Sequence, residues 1–198
     1  MVKYVITEMG FEGHLPENYN NMRVLEAQII ALNAYHLPLV KVLQVVSTTK
    51  TDTASFSTGP GSPPNMYNHS SLRADITASN SSNKFLIMAS ITSAHGSIGL
   101  GIALADDGTL LSGAIADGGT NRQTSTSGNA HTDSHSAVTV PILCLITAGD
   151  TNEHKFHIAL SHTSGSTQTL YVNRGSNDGN GSDRIRYIST ITVMEIAA

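Results

Sequence analysis

The sequence has few charged residues. Lys, Arg, Asp and Glu together make up 13% of its 198 residues, against about 25% in ordinary soluble domains. The net charge is −4 and no run of basic residues occurs, which argues against a surface that follows nucleic-acid phosphates and so against nucleic acid as a main partner. Ser, Thr, Asn and Gly provide most of the polarity, and they favour turns and β-strand surfaces over helices. A neutral polar surface of this kind is common on proteins that pack against copies of themselves.

Cysteine and long apolar runs are equally scarce. Cys144 is the single cysteine, so neither an intrachain disulfide nor a cysteine-based zinc site is possible. It lies in the apolar run Val138 to Ile146, where a small buried thiol is expected. No apolar run approaches the roughly 18 residues that a membrane span needs. The first ten residues include Lys3 and Glu8 and do not resemble a signal peptide, so we expect synthesis in a cytoplasm.

Motifs of the common catalytic sites are missing as well. The sequence contains no Gly-x-Ser-x-Gly, no phosphate-binding glycine loop and no Cys/His pair at a recognisable spacing. Nothing singles out two of the fifteen acidic residues as the carboxylate pair of a glycoside hydrolase. We therefore predict that the protein is not an enzyme and has no catalytic residues and no cofactor.

Residues 1–39 predict an N-terminal arm followed by one α-helix. The helix would run from about Met22 to His36, with an asparagine as its N-cap, and would end before Pro38. Its apolar residues are spaced three, four and three apart, as in a heptad seam, and are Met22, Leu25, Ile29 and Leu32. A helix of about 15 residues is marginal alone in water. We expect the seam to dock on further copies of itself, the alternative being the chain's own β domain.

Residues 40–198 predict a mainly β domain. About eight short strands separated by turn signals, with no helical period between them, indicate an antiparallel β-sandwich or jelly roll. Phe85, Ile87, Ala89 and Ile91 alternate on one face of a strand. The run Asp106 to Gly108 predicts a hairpin turn. Pro141 interrupts an apolar strand and indicates an edge or a bulge.

Two segments contain possible metal ligands, although we predict no metal site. His131, Asp133 and His135 would share one face of a strand, but they occur in a stretch with the composition of a loop. The Asn177–Asp183 segment has the oxygen ligands and glycines of a calcium loop without the helices and the bidentate glutamate. Three further histidines are expected on the surface of one strand, namely His154, His157 and His162.

Four segments of the β domain resemble a domain of virion proteins from tailed bacteriophages, especially those of marine and freshwater bacteria. They are Lys41–Thr53, Ala78–Ile87, Leu170–Arg174 and Ser189–Ile196. The resemblance covers about residues 41–198 and implies a place at the C-terminal end of fibre-like or other structural proteins. It carries over no catalytic or binding residues. Only about 40 residues precede the domain here, which favours a compact particle component over a long fibre.

Together these observations predict a virion structural protein on the particle exterior, most simply a capsid decoration (cement) protein. A homotrimer anchored through the helix seam to the major capsid protein, or to other virion proteins, would fit. The alternative is a short head or tail fibre, or a module that binds a host surface receptor or glycan. Tyr67 and His69, expected in a loop from residue 59 to 71, are then the residues that would face a ligand.

Overall fold

The computed structural model describes residues 41–59, 67–95, 99–117, 124–130 and 136–198, and for residues 67–71, 129 and 130 it describes the backbone alone. Within these ranges the chain forms eleven β-strands, one 3-10 turn (Ser112–Ala114) and no α-helix. The strands are β1 (Val42–Lys50), β2 (Ala54–Thr58), β3 (Tyr67–Thr77), β4 (Lys84–Ala94), β5 (Gly99–Asp106), β6 (Thr109–Leu110), β7 (Ser127–Ala130), β8 (Val138–Thr147), β9 (Glu153–His162), β10 (Gln168–Val172) and β11 (Ser189–Ile196).

The mainly β, antiparallel prediction is thereby confirmed, with more strands than the eight expected. The described residues include no helix that could cross a membrane. The helix predicted at Met22–His36 and the boundary between residues 39 and 40 lie outside the described residues. The jelly-roll form of the sandwich stays a prediction.

The first sheet is built around β4. One edge of β4 pairs with β8 along nearly its whole length, from Lys84–Thr147 to Ser93–Val138. The other edge pairs with β11 and then, farther along, with β10. β1 pairs with β11 and β2 pairs with β10. The strands β10 and β11 therefore act as one strand that is interrupted by residues 173–188. In the same way β1 and β2 act as one strand that is interrupted by residues 51–53, directly beside the first interruption.

The second sheet is built around β5. One edge of β5 pairs with β9, and β9 pairs in turn with β3. The other edge pairs with β7 near Gly99 and with β6 near Asp106. Asp107 and Gly108, between β5 and β6, both have positive φ, 43° and 87°. This is the geometry of a two-residue hairpin turn, so the turn predicted from Asp106 to Gly108 is confirmed.

One apolar core lies between the two sheets. The alternating face of β4 contributes Phe85, Ile87 and Ile91, which are all fully buried, as the spacing predicts. Phe85 meets Phe156 of β9 edge to face, with ring centroids 5.3 Å apart. Side chains from both sheets make up the core, including Leu72, Ile76, Ile102, Leu104, Ile158, Leu160, Leu170 and Ile191. The two sheets are thus the layers of a sandwich-like fold.

The strand β9 is buried on both of its faces, which differs from expectation. Besides its core side chains Phe156, Ile158 and Leu160, the opposite face is also removed from solvent, with Ala159 0% exposed. His157 is 4% exposed and His162 0%. The prediction that these two histidines lie on the surface is wrong. His157 lies on the second face, which is covered, and His162 continues the core face of Phe156, Ile158 and Leu160.

Candidate interaction surfaces

The outer face of the first sheet carries exposed aliphatic side chains in adjacent rows. One row across the sheet is apolar throughout and consists of Val45, Met194, Leu86 and Leu145. The next row consists of Ser47, Thr192, Met88 and Leu143. Leu143 is 72% exposed, Leu145 59% and Val45 52%. We call the six apolar members of these rows the outer apolar face.

The rest of this sheet surface is rich in hydroxyl groups and carries one lysine, Lys84, at its margin. Ser47 and Thr192 share a hydrogen bond of 2.8 Å between their hydroxyls, and Thr92 and Thr139 share one of 2.7 Å. Lys84, at the end of β4, donates to Thr147 Oγ1 at 2.6 Å. Hydroxyls that already satisfy one another can be covered by a partner at small cost.

The edge of this sheet at β8 is interrupted by a proline. Within the described residues β8 pairs only with β4, so it is an edge strand, as the position of Pro141 predicts. Pro141 lies opposite Ser90 in the middle of the ladder. Since proline has no N–H, it blunts an edge that would otherwise be a template for another strand.

The interruption between β10 and β11 is closed by a buried polar network, which we call the Asn173 network. Asn173 is fully buried and has a left-handed backbone, with φ 61°. Its Nδ2 donates to the carbonyls of Lys50 and Asp52 at 2.9 and 3.0 Å, and its Oδ1 accepts from Ser189 Oγ at 2.6 Å. Ser189 Oγ also accepts from the amide of Thr92 at 2.9 Å. The network therefore ties both interrupted strands to β4.

Residues 174–188 leave the sheet at this point as an excursion loop. Its two arms meet in an antiparallel bridge between Arg174 and Arg186. Beyond the bridge lies an open, polar cleft of about 470 Å³, lined by Asp178, Gly179, Asn180, Gly181, Arg184 and Arg186. Planar polar side chains of this type can hydrogen-bond the hydroxyls or carboxylates of a ligand.

Both carboxylates of the excursion loop are paired with arginine. Arg186 donates from Nε and Nη2 to the two oxygens of Asp178, at 3.2 and 2.9 Å, and this hydrogen-bonded guanidinium lowers the pKa of Asp178. Arg184 pairs with Asp183. Guanidinium groups beside both acids disfavour a cation there, so the pattern that resembled a calcium loop is better explained as an ion-paired loop.

A second buried network surrounds Glu195, which is fully buried. Its Oε1 accepts hydrogen bonds from the Ser79 amide at 2.7 Å, from Ser79 Oγ at 2.8 Å and from Asn83 Nδ2 at 2.6 Å. Its Oε2 accepts from Gln44 Nε2 at 2.6 Å. Burial alone would raise the pKa of Glu195, but the bonds from Asn83, Gln44 and Ser79 together outweigh it and lower the pKa from 4.5 to about 2. We call these four residues the Glu195 network.

The Glu195 network makes the stability of the fold dependent on acid pH. Because the folded pKa of Glu195 is depressed, its contribution is fully present above about pH 4.5 and is lost as the pH falls towards 2. We expect the free energy of unfolding to fall over this interval and to fall less in Glu195→Gln. Urea unfolding followed by circular dichroism at pH 7, 4.5, 3.5 and 2.5 measures this, and parallel pH profiles of the two proteins would contradict it.

The histidines of β9 and of the end of β4 have structural partners. His154 Nδ1 lies 2.6 Å from Asp106 Oδ2, and its ring stacks on Phe156 with centroids 5.5 Å apart. His95 Nε2 lies 3.0 Å from Gln168 Oε1. Burial lowers the pKa of His95 and the neighbouring His162 lowers it further, against the bond from Gln168. In the described ranges no three His, Cys, Asp or Glu residues come together as metal ligands.

Most of the functional residues predicted from the sequence lie outside the residues whose side chains the structure describes. The seam residues Met22, Leu25, Ile29 and Leu32, and the histidine segment His131, Asp133 and His135, lie outside the described residues. Tyr67 and His69 are the first and third residues of strand β3. They do not lie in a loop, and the loop predicted from residue 59 to 71 ends before Tyr67. Their side chains are among those not described, and their ligand-facing role stays a prediction.

The sequence analysis did not predict either buried network, although it singled out the segments that contain their residues. All four members of the Glu195 network, and Lys50, Asp52, Asn173 and Ser189, occur in the segments that carry the phage-domain resemblance. These segments form β1, the start of β4, β10 and β11 of the first sheet. The available signal was a lone acid in an apolar strand, Glu195 between Met194 and Ile196.

Comparisons with known proteins give only distant likenesses. No protein-family model matches the sequence, and no curated protein does. Solved structures similar in part include infectious bursal virus derived T=1 particles (TM-score 0.39, 14% identity, 77% of this chain and 37% of that one). A second is infectious bursal disease virus Gx strain, with a TM-score of 0.39 and 17% identity over 78% of this chain and 37% of that one. A third is the VP2 subviral particle of infectious bursal disease virus, with a TM-score of 0.36 and 18% identity over 77% of this chain and 38% of that one.

The chain spans less than two fifths of the length of each of these neighbours. A partial β-domain likeness of this extent leaves the function to be argued from the chain's own surfaces.

Proposed function

We propose that this protein is a non-enzymatic structural component of a virion, displayed on the particle exterior and most simply a capsid decoration protein. The protein acts through non-covalent contacts. Its β domain faces outward, and apolar surfaces bind it to copies of itself and to the major capsid protein. The N-terminal seam of Met22, Leu25, Ile29 and Leu32 would complete a homotrimer or anchor the chain on the particle. This assignment rests on the phage-domain resemblance together with the surfaces described above.

The outer apolar face is the observation that supports the proposal most directly. Leu143 and Leu145 project from an edge strand at 72% and 59% exposure, beside further aliphatic side chains on three neighbouring strands. A contiguous apolar patch of this kind marks a protein interaction site. An enzyme needs a concave site with reactive groups, whereas a protein that assembles into a particle needs flat, neutral contact surfaces.

A second candidate function is that of a short head or tail fibre whose tip binds a host receptor or glycan. The excursion loop favours it, because a polar cleft is carried on a rigid, hydrogen-bonded base and binding residues are often placed on loops of rigid scaffolds. The low aromatic content, 5% with no tryptophan, counts against sugar stacking. A glycan array probed with the purified full chain tests this function, and the absence of any hit would count against it.

Antibody-gold electron microscopy on purified particles separates the two functions. Particles from a strain that lacks the gene serve as the control for antibody specificity. Gold spread over the head is the expected result and indicates decoration. Gold confined to the tail or its tip indicates a fibre, and a complete absence of label from particles contradicts a virion role.

A further inference from the structure

We propose that the outer apolar face is an interface between two copies of this chain, stacked face to face about a twofold axis. The face consists of Val45, Leu86, Met88, Leu143, Leu145 and Met194, as defined above. The inference goes beyond the proposed function, since it concerns the purified chain and names which surface joins its copies.

The two sheets differ in the state of their outer faces. On the second sheet the outward side chains of β9 are buried, with His157 4% and Ala159 0% exposed. On the first sheet the outward side chains of β8 are the most exposed large apolar residues that the structure describes, Leu143 and Leu145. Exposing two leucines on adjacent outward positions has a hydrophobic cost that burial at about 25 cal/mol per Å² would remove. Among the described residues, none therefore forms a layer over these outward positions of the first sheet.

The chemistry of the face suits a second copy of itself. In a twofold contact each residue meets the same surface on its partner, so a charged face would bring like charges together. The apolar rows contain no charged residue. The hydroxyls beside them already pair within the sheet, as in Ser47 with Thr192. Two such faces can be buried without leaving an unpaired charge or an unsatisfied donor.

The size of the face is also sufficient. Four strands about 4.8 Å apart, each about eight residues long at about 3.3 Å per residue, give a sheet surface of roughly 500 Å². The two rows of the outer apolar face form about the middle half of this surface, and its margins carry hydroxyl residues and Lys84. Stacking two such sheet surfaces removes roughly 1,000 Å² from water, the lower size of a specific interface. Facing sheets pack about 10 Å apart with interdigitated side chains, which aliphatic residues such as Leu143, Leu145 and Met88 allow.

Face-to-face stacking is favoured over pairing of strand edges. Pro141 lies in the middle of the β8 edge and offers no N–H to an incoming strand. The face itself has no such interruption, because Leu143 and Leu145 follow Pro141 on the same side of β8. On the β8 side of the sheet, the surface available to a second copy is therefore the face and not the edge.

The test measures self-association of the full chain by sedimentation equilibrium over a wide concentration range. The variant is the double substitution Leu143→Lys and Leu145→Lys. Its matched control is Ile185→Lys and Ile188→Lys, which replaces two aliphatic residues of similar exposure, 58% and 57%, on the excursion loop. We expect the face variant to raise the dissociation constant at least about 100-fold, because two charges would enter an apolar interface, and the control to change it less than about threefold.

Circular dichroism and urea unfolding confirm that both variants remain folded, since all four residues are exposed. A wild-type chain that stays monomeric at the highest concentration overturns the proposal, as does equal association of the face variant and the control. A third variant, Leu25→Ser with Ile29→Ser, covers the alternative of the helix seam: association lost there but kept in the face variant also overturns it. The result is independent of where gold label falls on particles, so this proposal and the virion assignment can fail separately.

Discussion

Replacing Glu195 with alanine is expected to lower the free energy of unfolding by about 3–5 kcal/mol, among the largest effects of any single change in this protein. The substitution removes the acceptor of four hydrogen bonds. It leaves the Ser79 amide without its acceptor, and a buried unsatisfied group costs about 1–3 kcal/mol. The side-chain amides of Asn83 and Gln44 keep only their bonds to Ser79 Oγ and to the Thr77 carbonyl, and each lost bond to the charged carboxylate costs about 1.5–3 kcal/mol. Urea unfolding at pH 7 measures the change as a shift of the midpoint.

Two further variants show whether the loss arises from hydrogen bonding. Glu195→Gln keeps the volume and one acceptor but turns a donor towards Gln44, so an intermediate loss of about 2 kcal/mol is expected. Glu153→Gln, at an exposed acid of β9, is the control and should change the free energy of unfolding by less than about 0.5 kcal/mol. Equal effects of Glu195→Gln and Glu153→Gln would show that the buried carboxylate is not important for stability.

Asn173→Ala is expected to destabilise the fold by about 2–4 kcal/mol. The substitution removes the bonds to the carbonyls of Lys50 and Asp52 and the acceptor of Ser189 Oγ, each worth about 1 kcal/mol. It also places alanine at φ 61°, a left-handed backbone that asparagine tolerates better. Thermal and urea unfolding give the magnitude.

A comparison of glycine and alanine at the same position separates the two causes. Asn173→Gly loses the same side-chain bonds but adopts positive φ freely, so it should be about 1 kcal/mol more stable than Asn173→Ala. Asn180→Ala, at an exposed asparagine in the excursion loop, is the control and should be close to neutral. If Asn173→Gly were as stable as the unsubstituted chain, the side-chain bonds would have no measurable value.

Local patterns in the sequence were sufficient to predict the parts of the fold that depend on neighbouring residues. The alternation of Phe85, Ile87 and Ile91 identified the core face of β4, and the Asp107–Gly108 pair identified a two-residue turn. Pro141 marked an edge strand. In each case the physical cause is short-range: the pleat of a strand, the φ preference of glycine, or a missing N–H.

Features that depend on distant pairing were not predictable in this way. Gln44 and Glu195 are 151 positions apart, and no local pattern indicates that they meet. For the same reason the exposed leucines of β8 appeared simply as part of an apolar run, although Val140 and Ile142 point to the core and Leu143 and Leu145 to solvent. Which apolar face is covered is a property of the packed sheets and not of the strand.

The excursion loop has a consequence for how this domain can diversify. Its two ends are fixed by the Asn173 network and by the Arg174–Arg186 bridge, so the strands on either side keep their register whatever the length of chain between them. Doubling that length would cost only about 0.6 kcal/mol in closure entropy. Residues 175–185 therefore form a site where a foreign epitope can be inserted without redesigning the scaffold.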